Sequence, residues 1–313
     1  MRSNRGFATA LALTATAIVL LSLGELSVGS AATPCPAASP SGHQTVTLTV
    51  DGRRRSAVVH VPTRASGRRV PLVLALHGYG GSGPRMEPYS GFDKLADRDT
   101  FIVAYPSSSY IYWNSTAVRK LPNDVHFLST LIGYLKRTFC VDSARVFATG
   151  ISNGGSMVAL AACQLSGQIA AAAPVAGDYS RQPPCRPQRP VSVLEIHGTN
   201  DQVVPYFGPS RRRTPDGLPP YVNGWVHRDA CATKPSVRHP ATRTTAYRWR
   251  GCAGGSMLEH IKIERGTHQW PGAKPPDPGP PSTICASCTI WSFFSGLNTS
   301  ARVFAGNGGA GLP

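Results

Sequence analysis

Val70 to Leu76 is an almost uninterrupted apolar run that stops at His77-Gly78. Such a run fits a strand covered on both faces, as in the middle of a parallel sheet, better than a strand with one wet side. Similar runs recur at Phe101 to Tyr105, Arg145 to Thr149, Ile169 to Val175, Val191 to Ile196 and Leu258 to Ile263. Helical patterns lie between them. The clearest begins at Asn123-Asp124, both good N-cap types, and carries Val125, Leu128, Ile132, Leu135 and Phe139 at three- and four-residue spacings. Upstream, the β-branched stretches Thr45 to Val50 and Ala57 to Val61 flank Asp51-Gly52, a strong hairpin signal. The pattern predicts one α/β domain with a mostly parallel central sheet, flanking helices and an N-terminal β-hairpin.

The 313 residues allow one large or two ordinary domains, and a hydrophobic fraction of 41% is enough for a packed core. Lys and Arg total 32 against 16 acids, for a formal charge of +16, yet only 15% of residues are charged. The imbalance owes as much to scarce acids as to plentiful bases, and no nucleic-acid reading motif accompanies it. Nucleic acid is therefore not an expected partner.

Arg2 and Arg5, the apolar run from Phe7 to Leu23, and the small residues Ser30, Ala31 and Ala32 follow the layout of a secretory signal, so residues 1–32 are read as removed on export. No stable membrane association is expected afterwards. Residues 33–43 then form an N-terminal extension, 44–297 the folded domain, and 298–313 a flexible tail. Within the domain, Pro209, Arg211 to Arg213, Pro215, Gly217 and Pro219-Pro220 mark a basic loop insertion over about 207–224. All eight cysteines follow the proposed cut, which favours disulfides in an oxidising compartment. Cys163 with Cys185 and Cys231 with Cys252 are plausible local pairs. Cys285-x-x-Cys288 lacks the second pair a zinc site needs and reads as structural.

Gly150-Ile151-Ser152-Asn153-Gly154 lies where the Arg145 to Thr149 strand gives way to a helix around Met157 to Ala161. A turn that tight pushes the serine hydroxyl outward and needs glycine on either side. Such a hydroxyl becomes a nucleophile when an imidazole takes its proton and a carboxylate holds that imidazole in the right tautomer. Asp201 follows the Val191 to Ile196 strand and His268 follows the Leu258 to Ile263 strand, both at the carboxyl edge where parallel sheets place their sites. Asp178 stands one element too early and reads as a turn residue. His77 and His197 precede glycines at strand ends and read as loop braces, while His227, His239 and His260 read as surface or strand histidines. The backbone N–H groups of Asn153 and Tyr79 are the expected oxyanion donors, the second from the loop His77-Gly78-Tyr79-Gly80-Gly81.

Six segments, LHGYGGSG (Leu76 to Gly83), FIVAYP (Phe101 to Pro106), ATGISNGGSM (Ala148 to Met157), APVAG (Ala173 to Gly177), HGTNDQVVPY (His197 to Tyr206) and GTHQWPG (Gly266 to Gly272), together resemble secreted esterases of the polyhydroxybutyrate depolymerase and feruloyl esterase group. The resemblance covers roughly Thr45 to Phe294. It implies an α/β-hydrolase fold and a secreted serine carboxylesterase with Ser152 as nucleophile, Asp201 as acid and His268 as base, working without cofactor or metal. The chain departs from the group's pattern at Gly266-Thr267, where a doubled glycine is common, and at Tyr79, where cysteine is frequent. Hydroxybutyrate oligomers and feruloyl or acyl esters of polysaccharide are the implied substrates, and Trp113, Tyr112 and Trp270 are expected to wall an aromatic acyl pocket. An acyltransferase using the same triad is the alternative within catalysis. A non-catalytic protein holding acidic wall polymers through its basic charge is the alternative outside it.

Overall fold

The computed structural model describes residues 35, 40–211, 214, 216–273 and 284–297. The expected signal segment and the tail beyond 297 lie outside the described residues. Asp51 and Gly52, both at positive φ (50° and 72°), turn β1 (Gly42–Val50) back antiparallel onto β2 (Arg53–Val61), the two-residue geometry that matches strand twist. β3 (Val70–Leu76) follows, then helices α1 (Gly83–Ser90) and α2 (Phe92–Asp99), β4 (Ile102–Pro106), α3 (Asp124–Thr138), β5 (Val141–Ile151), α4 (Asn153–Gln164), β6 (Ala171–Val175) and β7 (Ser192–Gly198). The chain continues through α5 (Pro220–Arg228), β8 (Ser236–Ala241), β9 (Thr244–Trp249), β10 (Leu258–Ile263) and α6 (Ala286–Ser295).

The ten strands make one sheet in the order β1-β2-β4-β3-β5-β6-β7-β10-β9-β8. The six in the middle run parallel and the strands at either end run antiparallel. Burial explains why β3 reads as a continuous apolar run. Leu72, Leu74 and Leu76 pack on one face with Leu128, Ile132 and Leu135 of α3, whereas Val73 and Ala75 pack on the other with Phe92 of α2 and Phe294 of α6. α3 begins where expected, the Asn123 side chain accepting from the His126 N–H at 3.0 Å.

The expected basic loop is shorter than the sequence suggests, because Pro220 to Gly224 open α5 rather than continue the loop. Proline is disruptive inside a helix but suits its first position, where no N–H is needed. The expected pairs Cys163–Cys185 and Cys231–Cys252 are formed, Cys285 bonds Cys288, and Cys35 bonds Cys140 across 105 residues. Among the described residues, no helix is long and apolar enough to cross a membrane.

Candidate active site

Ser152 sits between β5 and α4 with φ 57° and ψ −124°, a strained backbone that a non-glycine residue adopts only when its surroundings enforce it. Enforcement comes from both sides. The Ser152 N–H donates to Val175 O at 2.9 Å, and its carbonyl accepts from the Ser156 N–H at 2.8 Å. A Cβ on Gly150 would lie 2.8 Å from Leu76 O, and one on Gly154 would collide with the carbonyls of Leu76 and His77. The turn thus fits only with glycine on either side of the serine, as the motif implies.

Asp201 and His268 meet because β7 and β10 are parallel neighbours whose following loops are stitched together. Asn200 N–H donates to Gly266 O at 2.9 Å and Arg265 N–H to Thr199 Oγ1 at 2.8 Å. His268 Nδ1 then lies 2.8 Å from Asp201 Oδ2. The other oxygen, Asp201 Oδ1, accepts the N–H groups of Val203 (2.9 Å) and Val204 (2.8 Å), which fixes the carboxylate plane. Burial alone would raise this carboxyl, but hydrogen bonds from His197, His268 and Val204 outweigh it and hold the group well below the usual carboxylate range. Asp178, the weighed alternative, is exposed and accepts from Ser180, a turn role.

Behind Asp201 lies a buried polar group that sequence reasoning did not identify. His197 Nε2 is 2.9 Å from Val204 O and 3.4 Å from Asp201 Oδ2, while Nδ1 is 2.9 Å from Glu195 Oε1. With acceptors at both nitrogens, the ring carries both protons. Burial works against that charge, but Glu195 and Asp201 outweigh it and push His197 upward. Glu195, fully buried, also lies 2.7 Å from His260 Nδ1, whose Nε2 is 2.6 Å from Tyr206 OH. Burial would raise the Glu195 carboxyl; the two imidazoles bring it to about 2 instead. His197 is therefore more than a loop brace, and His260, one of the residues read as surface or strand histidines, is a strand residue, fully buried in β10.

Ser152 and His268 line one cavity of about 710 Å³ with Gly78, Tyr79, Met86 and Tyr89. The loop after β3 is braced by His77, whose Nδ1 bonds Gly78 O at 2.7 Å while Nε2 accepts the Ser108 N–H at 3.2 Å. Asn153 is the first residue of α4, where an N–H has no partner within the helix, and its side chain exchanges bonds with the Trp113 backbone at 2.6 and 3.1 Å.

The two tryptophans expected to wall the pocket do not reach it. Trp113 and Trp270 are each 1% exposed. Trp113 Nε1 donates to His77 O at 2.9 Å from inside the protein, and Trp270 Nε1 donates to Ser287 Oγ at 3.1 Å. Both are large apolar side chains whose single donor is satisfied internally, so the core takes them. The aromatic groups at the cavity are tyrosines instead. Tyr79 is 67% exposed and stacks on Tyr112 at 6.2 Å, and Tyr112 in turn stacks on Tyr110 at 6.1 Å.

No family model matches the chain. It is similar to a feruloyl esterase B of Piromyces equi, 31% identical over 230 residues, which covers 68% of this chain and 42% of that protein. It is also similar to a bifunctional acetylxylan esterase/xylanase of Neocallimastix patriciarum, 28% identical over 264 residues, covering 82% and 36% respectively. The chain thus spans less than half the length of these two relatives. Among solved structures, an acetyl xylan esterase from Aspergillus awamori superposes with a TM-score of 0.59 at 18% identity, over 82% of this chain and 99% of that one. The fold is that of the α/β-hydrolases.

Proposed function

Because this chain belongs to an esterase family of the α/β-hydrolase type, we propose that it is a secreted serine carboxylesterase acting on acyl or feruloyl esters of polysaccharide. The observation that carries the serine mechanism is the 2.8 Å contact between His268 and Asp201 at a cavity that Ser152 also lines. Ser152 Oγ attacks the ester carbonyl as His268 Nε2 takes its proton, and Asp201 stabilises the imidazolium that results. The tetrahedral oxyanion is held by the N–H groups of Tyr79 and Asn153. Collapse expels the alcohol with the proton from His268 and leaves an acyl group on Ser152. Water, activated by the same imidazole, then releases the acid.

The relatives favour polysaccharide esters over hydroxybutyrate oligomers, since feruloyl and acetylxylan esters are the substrates their names carry. Tyr79, exposed at the cavity and stacked on Tyr112, offers a flat face to an aryl acyl group or a sugar ring. Four disulfides agree with an extracellular destination. A panel of methyl ferulate, acetylated xylan and hydroxybutyrate oligomers tests the reading. We expect turnover of the first two, and efficient cleavage of the oligomers alone would contradict the substrate class. Product analysis with excess glycerol separates hydrolysis from acyl transfer, and free acid is the expected product.

A further inference from the structure

We propose that His43, His60, Asp93 and Glu87 hold a divalent transition-metal ion, Zn²⁺ by donor type, that ties the N-terminal hairpin to helices α1 and α2. His43 and His60 face each other across the β1–β2 ladder, with ring centroids 5.0 Å apart. Glu87 comes from α1 and Asp93 from α2. Donor atoms of His43, His60 and Asp93 all lie within 4.8 Å of one another.

Distances favour a shared ion. Ligands about 2.0–2.1 Å from a tetrahedral zinc are about 3.3–3.4 Å from each other. His43 Nε2 stands 3.4 Å from Asp93 Oδ2 and 3.5 Å from Glu87 Oε1, longer than good hydrogen bonds and close to a tetrahedral edge.

Outer contacts are arranged as around a metal. His60 Nε2 is 2.8 Å from Asp97 Oδ1, and Asp93 Oδ1 accepts from Tyr105 OH at 2.6 Å, so partners outside the cluster orient two of the four side chains. His60, 8% exposed, keeps a buried Nδ1 with no hydrogen-bond partner. Buried polar atoms of this kind are normally satisfied, and a cation would satisfy this one. Two carboxylates and two neutral imidazoles balance a divalent ion, and their nitrogen content favours Zn²⁺ over Ca²⁺ or Mg²⁺.

The ion would also matter to the substrate cavity. α1 contributes Met86 and Tyr89 to its wall, and Glu87 lies between them in sequence, so fixing Glu87 against the hairpin steadies that wall.

Calorimetric titration of ZnCl₂ into the untagged, chelator-treated protein tests the site, with CaCl₂ in parallel. We expect one equivalent of zinc to bind, little calcium, and Tm to rise by roughly 4 °C or more in zinc. Substituting Co²⁺ should give the visible absorption of a tetrahedral site. His43→Gln, on an exposed edge strand, and Asp93→Asn, which keeps the oxygen facing Tyr105, should each weaken zinc binding by about tenfold or more. Both should retain the far-ultraviolet spectrum of the wild type. Absence of saturable binding, wild-type affinity in both variants, or binding lost only in His268→Ala would each overturn the proposal and leave the cluster as ion pairs.

Discussion

His197 Nε2 lies 3.4 Å from Asp201 Oδ2, the same oxygen that holds His268 Nδ1 at 2.8 Å. The acid of the proposed triad is therefore shared by two imidazoles, one facing the cavity and one buried and charged. A lone buried carboxylate beside Glu195 would meet repulsion; the His197 cation between them makes the charges alternate.

This arrangement gives stability a definite pH dependence. Glu195, lowered from 4.5 to about 2, contributes fully above pH 4.5, and that contribution is lost as pH falls toward 2. His197, raised from 6.5 to about 10, contributes fully below pH 6.5, and its share is lost as pH rises toward 10. The combined contribution is greatest between those limits. Replacing His197 by Asn should therefore cost about 3 kcal/mol in mildly acid buffer and distinctly less near pH 10, read from urea unfolding at both pH values. An equal loss at both would show that the ring is not held as a cation.

Gly154→Ala should abolish activity through geometry alone. A methyl group there meets the carbonyls of Leu76 and His77, so β3 and the serine turn must part. Loss of about 3 kcal/mol of stability or more, with kcat down at least about 100-fold, is expected from unfolding and initial-rate measurements. A variant with wild-type stability and rate would mean that the turn relaxes easily.

Tyr79 has two separable roles, since its N–H is the proposed oxyanion donor and its exposed ring stacks on Tyr112. Tyr79→Ala retains the backbone and removes the ring. KM for methyl ferulate should rise about three- to tenfold while kcat for a short acetyl ester stays within about twofold. A fall in kcat on both substrates would instead assign the side chain to shaping the loop.

The central strands, the hairpin and the serine turn were legible because each is a local pattern: a doubly buried run such as Val70 to Leu76, a two-residue turn at Asp51-Gly52, glycines bracketing Ser152. β8 escaped because Ser236 to Arg238 and His239 are exposed and leave no alternating apolar face. α1 escaped because Pro84 and Pro88 argue against a helix, although Pro84 sits in the first turn, where proline is tolerated. Long-range partners were beyond local reading. Glu195 lies within a strand that reads as buried, and its pairing with His260 depends on β7 and β10 being neighbours, which no local pattern discloses. The same limit hid Cys35–Cys140 and the meeting of His43, His60 and Asp93. Trp113 and Trp270 were misplaced for a related reason, since sequence shows an aromatic near a site without showing which way it faces.

Ser152→Ala tests the serine nucleophile itself, measured as kcat/KM on a short p-nitrophenyl ester beside intact-protein mass spectrometry after a phosphonylating inhibitor. We expect a folded protein with kcat/KM reduced by about 10⁴-fold or more, and a single adduct on the wild type that is absent from the variant. Wild-type turnover by Ser152→Ala, or an undiminished adduct on it, would contradict the claim that this serine is the nucleophile.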